Sequence, residues 1–485
     1  MASFFVHKLG WMLVASLPLF SLVSGAIGCT GQLDEGEEDS EAIALTLDES
    51  QLASGSEMGA EPTATLVGGQ SIFVMPTWTA TGNLVTARAR HKMVTLMNGK
   101  LLVTGGQGSA GILASAEVYD PSTGVWSTVA PMAAARQNHT LTLLGNGQVL
   151  AAGGDANGTY LASTEIYDPV ANTWSTVSPM PAPRNLFTTT LLDNGKVLVT
   201  GGTTTGAAVL QSAAIYNPVT NTWSAAPNMN YARTAQEATV LPTGKVLITG
   251  GWQGSSSTNA VELYDPATNT FAVLSSMSYI RHRHTATLLP MGKVLIAGGL
   301  DAGSFPIMTG NTELYDPPTN LWSVKNNLPT YRQDHAATLL NDGTVLVTGG
   351  LSNGVSWAYV DLWLTASNVW TSVPLMGTAR AFHTAARLAN GNAIVVGGQT
   401  APGSFTSTVE MYTTLGQACS NNAQCSSGYC VDGVCCDSAC NAGACDACSV
   451  ATGALINGTC RLLSGVACND GNACTQTDSC QTGVC

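Results

Sequence analysis

The chain has 485 residues, a length that corresponds to roughly two to four domains, with 52 glycines, 20 prolines and only 10% charged side chains. An average soluble domain is about 25% charged, so the composition excludes a charged helical bundle and points to many short strands joined by tight turns. A net charge of −13 excludes an electrostatic nucleic-acid binder, and a mean hydropathy of +0.17 allows a large buried core.

At the N-terminus, Lys8 precedes an apolar run from Leu9 to Gly28, long enough for the core of a signal peptide over residues 1–28. No later segment approaches the run of about 18 apolar residues that spans a bilayer as a helix. The run ends in Ala26-Ile27-Gly28-Cys29, which resembles a bacterial lipobox. The resemblance implies that Cys29 is lipidated and holds the protein at the outer membrane or cell surface of a Gram-negative bacterium. Ala26 stands where that pattern prefers Leu, and ordinary cleavage near Ala26 is the alternative. Residues 29–70 follow, with ten acids between Asp34 and Glu61 and no Lys or Arg. This stretch lacks apolar periodicity and reads as a disordered, self-repelling tether.

Residues 71–415 are an internal repeat. Gly-Gly pairs begin at positions 105, 153, 201, 250, 298, 349 and 397. An arginine stands 17 residues before each pair: Arg88, Arg136, Arg184, Arg233, Arg281, Arg332 and Arg380. An aromatic stands ten residues before each arginine, from Trp78 and Trp126 to Trp370. Each unit reads as four strands. In the second, His139 to Leu144 and Gln148 to Ala152 flank Asn146-Gly147, a two-residue hairpin signal in which both positions take positive φ. Glu165 to Tyr167 forms the third strand, Asp168-Pro169 starts a turn, and Trp174 to Val177 forms the fourth. Four short antiparallel strands at a period near 50 indicate an all-β, seven-bladed β-propeller. The last unit lacks its own Trp after Tyr412, so the strand containing Trp78 is expected to complete the seventh blade. Closure of this kind removes an exposed sheet edge.

The motifs Arg-x-x-His, Gly-Gly, Tyr-Asp-Pro and the following Trp resemble the kelch family, and more broadly the central propeller of galactose oxidase. The resemblance covers residues 71–415 and implies fold more than function. Galactose oxidase chemistry uses a Cys joined to a Tyr, a second Tyr and two His around copper. No Cys lies between Cys29 and Cys419, so that cross-link cannot form, and no cofactor is expected. Five histidines follow the repeat arginines by three residues: His91, His139, His284, His335 and His383. One per blade at equal height need not converge, and we expect no metal there.

Length varies only between Gly-Gly and the next Tyr, from 14 to 17 residues. These connections share a face with the links between blades, and tolerance of length marks exposed loops. They carry aromatics that do not recur: Tyr160, Trp252, Phe305, Trp357 and Phe405. Such rings either stack on a ligand or cover their own loops. The seven arginines start the innermost strands on the same face. They read either as cations at a channel mouth or as partners of Glu117, Glu165, Glu262, Glu313, Asp361 and Glu410, which recur two residues before the Tyr position. Unit three has Ala214 there, which makes Arg184 the arginine expected to be free for an anionic ligand. Loop acids Asp155 and Asp301 leave hydrolysis open but do not specify it.

Residues 416–485 hold thirteen cysteines. The first stretch resembles Dickkopf-type cysteine-rich repeats, and the last resembles tandem repeats of bacterial surface proteins. Cys419, Cys425, Cys430, Cys435, Cys436, Cys440, Cys445, Cys448, Cys460, Cys468, Cys474 and Cys480 are expected in disulfides, with Cys485 left at the edge of a truncated repeat. A zinc site at Cys445-x-x-Cys448 is the rival reading, but no His follows. The functional expectation is an exported, monomeric binding module that holds a glycan or protein ligand on its loop face. The alternatives are a carbohydrate-active enzyme using loop carboxylates and a passive structural platform.

Overall fold

The computed structural model describes residues 77–302 and 307–413, together with the backbone of four short strands beyond them. Those four form two hairpins, Cys430–Val431 with Val434–Cys435 and Asp446–Ala447 with Arg461–Leu462. Cys29, Phe305 and the side chains of the tail cysteines lie outside the described residues, so the anchoring and disulfide expectations fall there too. The chain divides into residues 1–70 and 71–485, and only the second unit contains described residues.

Residues 77–413 form seven four-stranded antiparallel sheets, the blades of a propeller. In blade two the strands run outward as Thr140–Leu143, Val149–Ala152, Thr164–Asp168 and Thr173–Val177. Among the described residues there is no helix. The second strand is the most apolar, and in every blade all four of its residues are buried. Its two faces meet both neighbouring blades. Leu102 and Val149 pack across the seam of blades one and two, and Val246 and Leu198 across that of blades three and four. The core is therefore seven inter-blade seams, in which each fully buried Val or Leu contributes about 1.5–3 kcal/mol.

The ring closes as the repeat count requires. Thr77–Ala80 pairs with Val409–Thr413, with Trp78 opposite Tyr412. Their rings lie 5.2 Å apart, as in the pairs Tyr119–Trp126 at 5.1 Å and Tyr167–Trp174 at 5.0 Å. The Trp78 indole N–H donates to the carbonyl of Pro374 at 2.9 Å, tying the N-terminal strand to the link between blades six and seven.

One local expectation is corrected. The first hairpin of blade two is not a two-residue turn with two positive φ values. Gly147 has φ 85°, but Asn146 does not take a positive φ. Gly147 N–H bonds the Leu144 carbonyl, and Leu144 N–H bonds the Gln148 carbonyl. This is a three-residue loop whose glycine forms the bulge, and Asn146 serves by accepting the Gln148 N–H on its side chain at 3.1 Å.

Of the two readings of the arginine ring, the structure bears out the ion pairs. All seven arginines are buried and none faces a channel mouth. Arg136 reaches back along its own blade, donating to the carbonyls of Gly153 at 2.8 Å and Ser163 at 3.0 Å, and to Glu165 at 2.6 Å. Glu165 in turn accepts the N–H groups of Ala133 at 2.6 Å and Ala134 at 3.2 Å, from the link that enters the blade. Five other blades pair Arg with Glu or Asp in the same way. A buried charge is tolerable only when paired and hydrogen-bonded, and each blade meets that requirement internally. Arg184, expected to be free, is 1% exposed and donates to Gly201 and Ser212. It does not reach a ligand face.

The recurring histidines join blades. His139 shares a hydrogen bond with Thr104 at 2.8 Å, His284 with Thr249 at 2.9 Å, and His383 with Thr348 at 2.9 Å, each in the preceding blade. Burial holds all three imidazoles well below their ordinary range, so they are neutral.

Candidate functional site

Each innermost strand is entered through the same few residues. Two positions after each arginine, the chain takes a left-handed turn at a residue that is not glycine. These are Arg90, Asn138, Leu186, Ala235, Arg283, Asp334 and Phe382, all with φ between 50° and 56°. Such a backbone is costly for Leu, Phe and Arg. The reason lies in the backbone itself: at five of the seven joints the N–H of this residue bonds the carbonyl of its counterpart in the preceding blade. The five are Arg90 to Phe382, Asn138 to Arg90, Ala235 to Leu186, Arg283 to Ala235, and Phe382 to Asp334. A circle of main-chain bonds, interrupted at two joints, thus forms the rim of the central channel. It places no demand on the side chains, which are free to differ.

They do differ, and unevenly. Blades two, three and four contribute Asn138, Leu186 and Ala235, while blades five, six, seven and one contribute Arg283, Asp334, Phe382 and Arg90. Arg283 pairs with Asp334 at 2.9 Å. The Arg90 guanidinium lies 4.4 Å from the centre of the Phe382 ring, a stacked cation–π contact. Half the rim is thus charged and aromatic, and half is neutral.

Beneath the rim lies a cavity of about 370 Å³, open to solvent and lined by all seven blades. Its inner wall includes Thr140, Thr188, Thr285 and Thr384, the last three with hydroxyls bonded to Thr200, His335 and His91, and also Lys92 from blade one and Glu237 from blade four. Lys92 faces the open lumen but is crowded by surrounding protein, and burial lowers its pKa against the opposing pull of Glu237. Burial raises the Glu237 carboxyl to about 7, and Lys92 counters only part of that rise. Burial also raises Asp334, offset by Arg283 and Arg90. Shifted acids and bases gathered in one cavity mark a functional-site candidate.

The variable connections fold as short β-ribbons on the same face. Tyr160 pairs with Asp155 in the ribbon of blade two, and Phe405 with Gln399 in that of blade seven. Trp252 lies 5.6 Å from His282, whose pKa burial lowers to about 4. Trp357 stacks on Tyr359 at 4.7 Å beside a groove of about 490 Å³ that also includes Ser352, Asn353 and Val355. The four of the five expected aromatics that lie among the described residues are half-buried, and no ring contact joins any two of them. The structure therefore distributes them around the face, while the rim and inner wall converge. Sequence reasoning missed the rim because it followed the positions that recur. The available signal was the opposite one: a position of constant spacing and changing chemistry, two residues after each arginine.

The comparisons agree with this architecture. The KLHDC2/KLHL20/DRC7 Kelch-repeats domain model matches residues 73–242, and the Kelch motif model matches residues 238–278. No curated protein matches the chain significantly. Among solved structures, a fungal alcohol oxidase of the AA5 family, solved in complex with copper, is 17% identical with a TM-score of 0.55. The match covers 70% of this chain and 75% of that one. The structure of YjhT is 16% identical with a TM-score of 0.49, covering 61% of this chain and all of that one. The chain thus carries Kelch repeats arranged as a seven-bladed propeller, and the likeness to the oxidase is one of fold.

The residues present do not fit copper. The propeller has no Cys, and no Tyr lines the channel cavity. The repeat histidines are committed to threonine hydroxyls in the seams, and no cluster of three His, Cys, Asp or Glu able to hold a metal occurs among the described residues.

Proposed function

We propose that the protein is an exported, surface-anchored, monomeric binding module that holds its ligand at the rim of the propeller channel. The observation that carries this reading is the broken symmetry of the rim: a backbone that repeats seven times presents Arg90, Phe382, Asp334 and Arg283 on one side only. Packing does not call for this asymmetry, because the neutral side satisfies the same backbone bonds. The ligand is a glycan or a protein segment. The Arg283–Asp334 pair of the rim, with Lys92 and Glu237 on the inner wall, favours a glycan, whose hydroxyls both donate and accept. Trp252 and Trp357 extend the surface available to a longer ligand. Lipidation at Cys29 and disulfides in the tail belong to the same reading, as an anchor and a second extracellular module.

A glycan array probed with the purified protein tests it, followed by calorimetry on Trp252→Ala, Trp357→Ala and the rim variants. Binding without product release supports the module. A second reading rests on Glu237 and Lys92, whose shifted acid and base groups in one cavity suit proton transfer to a bound sugar. Turnover abolished by Glu237→Gln, with binding retained, would favour that enzyme over the module.

A further inference from the structure

The seven arginine cradles provide an internal control, because six contain a carboxylate and one does not. In blade two, Glu165 is held by the Arg136 guanidinium, the N–H of Ala133 and the N–H of Ala134. Blade three replaces Glu by Ala214, and the position of Ala133 becomes Pro181, which has no N–H to give. The coincidence is not isolated. The one blade that uses Asp instead of Glu, blade six, has Pro329 at that position, and Thr330 donates its hydroxyl to Asp361 at 3.2 Å instead. Carboxylate length and available donors therefore change together.

Blade three nevertheless keeps the other donors. Arg184 donates from Nη1 to the carbonyls of Gly201 at 2.7 Å and Ser212 at 2.9 Å, and from Nη2 to Ser212 Oγ at 2.9 Å. The Ser212 hydroxyl, having accepted that bond, still has a proton to give. The Ala182 N–H, whose counterpart Ala134 bonds Glu165, finds no acceptor among the described residues. Burial lowers the Arg184 pKa to about 10, which leaves the guanidinium charged at neutral pH. A buried cation, a backbone N–H and a hydroxyl thus surround the space that glutamate fills in the neighbouring blades.

We propose that this cradle binds a small monovalent anion of the size of chloride or formate. Three donors and one positive charge suit such an ion. A larger or divalent anion would exceed both the space that a glutamate carboxylate occupies and the single charge that faces it. The ion compensates the one repeat arginine that no protein carboxylate pairs, and Ala182, only half-buried, gives it a path from solvent.

Two measurements on the full-length protein test the proposal. Crystals grown with bromide in place of chloride should show an anomalous peak between Arg184 Nη2 and Ala182 N. Melting of the wild type should occur at higher temperature in chloride or formate than in gluconate at equal ionic strength, rising with the logarithm of anion concentration. Ala214→Glu, which restores the carboxylate of the other blades, should remove that dependence. A response to formate but not chloride would identify a carboxylate site. A water in place of bromide, or equal anion dependence of wild type and Ala214→Glu, would overturn the proposal. If Ala214→Glu fails to fold, the anomalous peak alone decides.

Discussion

Two rings of residues lie only two positions apart in the sequence and behave in opposite ways. The ring of Arg88 and its six counterparts is invariant in type, wholly buried and bonded within its own blade. The ring of Arg90 and its counterparts is invariant in backbone, half-buried at the channel and different in chemistry at nearly every blade. In the first ring the side chain performs the structural task, so it cannot change. In the second the main chain performs it, so the side chain is available for a ligand. A repeat protein thereby separates stability from recognition within one turn of chain.

The contrast can be broken on the structural side first, where the effects are largest. Deleting the strand Thr77–Ala80 leaves blade seven with three strands and Tyr412 without Trp78. Calorimetry should then show a sharply lower melting temperature, and an unchanged transition would contradict closure by the N-terminal strand. Next, Glu165→Ala leaves Arg136 buried without its carboxylate. Urea unfolding should register a loss of about 3–5 kcal/mol, the usual cost of leaving one buried ion unpaired. On the recognition side, Phe382→Asn removes the aromatic support of Arg90 while keeping a residue that accepts positive φ, as Asn138 does in blade two. Calorimetry should find affinity weaker by about 1–3 kcal/mol and folding nearly unchanged.

A pH dependence is expected as well. The folded-state pKa of Glu237 is raised from 4.5 to about 7 by burial, so the folded protein holds a proton that the unfolded chain has already lost. Its contribution to stability is fully present below about 4.5, declines as pH rises toward 7, and is gone above that. Melting curves of Glu237→Gln should lack this decline over the same range. An identical pH profile in the two proteins would place the titration elsewhere.

Much of the fold was legible because propeller blades repeat their errors as well as their rules. Seven equal Arg to Gly-Gly spacings gave the blade count, and the missing Trp after Tyr412 gave the closure. The turn at Asn146-Gly147 was misread because a dipeptide does not reveal which of its residues takes positive φ. At Arg184 the missing carboxylate was read correctly, but the place of the guanidinium was not. The absence of Glu in blade three was visible, but exposure was inferred from the lack of a partner. Backbone carbonyls of Gly201 and Ser212 hold the guanidinium inside regardless. The channel rim went unnoticed because its position keeps its spacing but not its residue type, and only the left-handed backbone shows why Leu186, Phe382 and Arg90 are equivalent.

The most direct test compares Arg88→Ala with Arg90→Asn, two changes on one strand entry. For each, calorimetry measures affinity for the ligand found on the array, and urea unfolding measures stability. Arg88→Ala should lower stability by several kcal/mol, since Glu117 loses its buried partner, while the fraction that remains folded binds normally. Arg90→Asn should keep stability within about 0.5 kcal/mol, as expected for a change away from the core, and lose at least tenfold in affinity. Undiminished binding by Arg90→Asn would contradict the assignment of the rim as the ligand site.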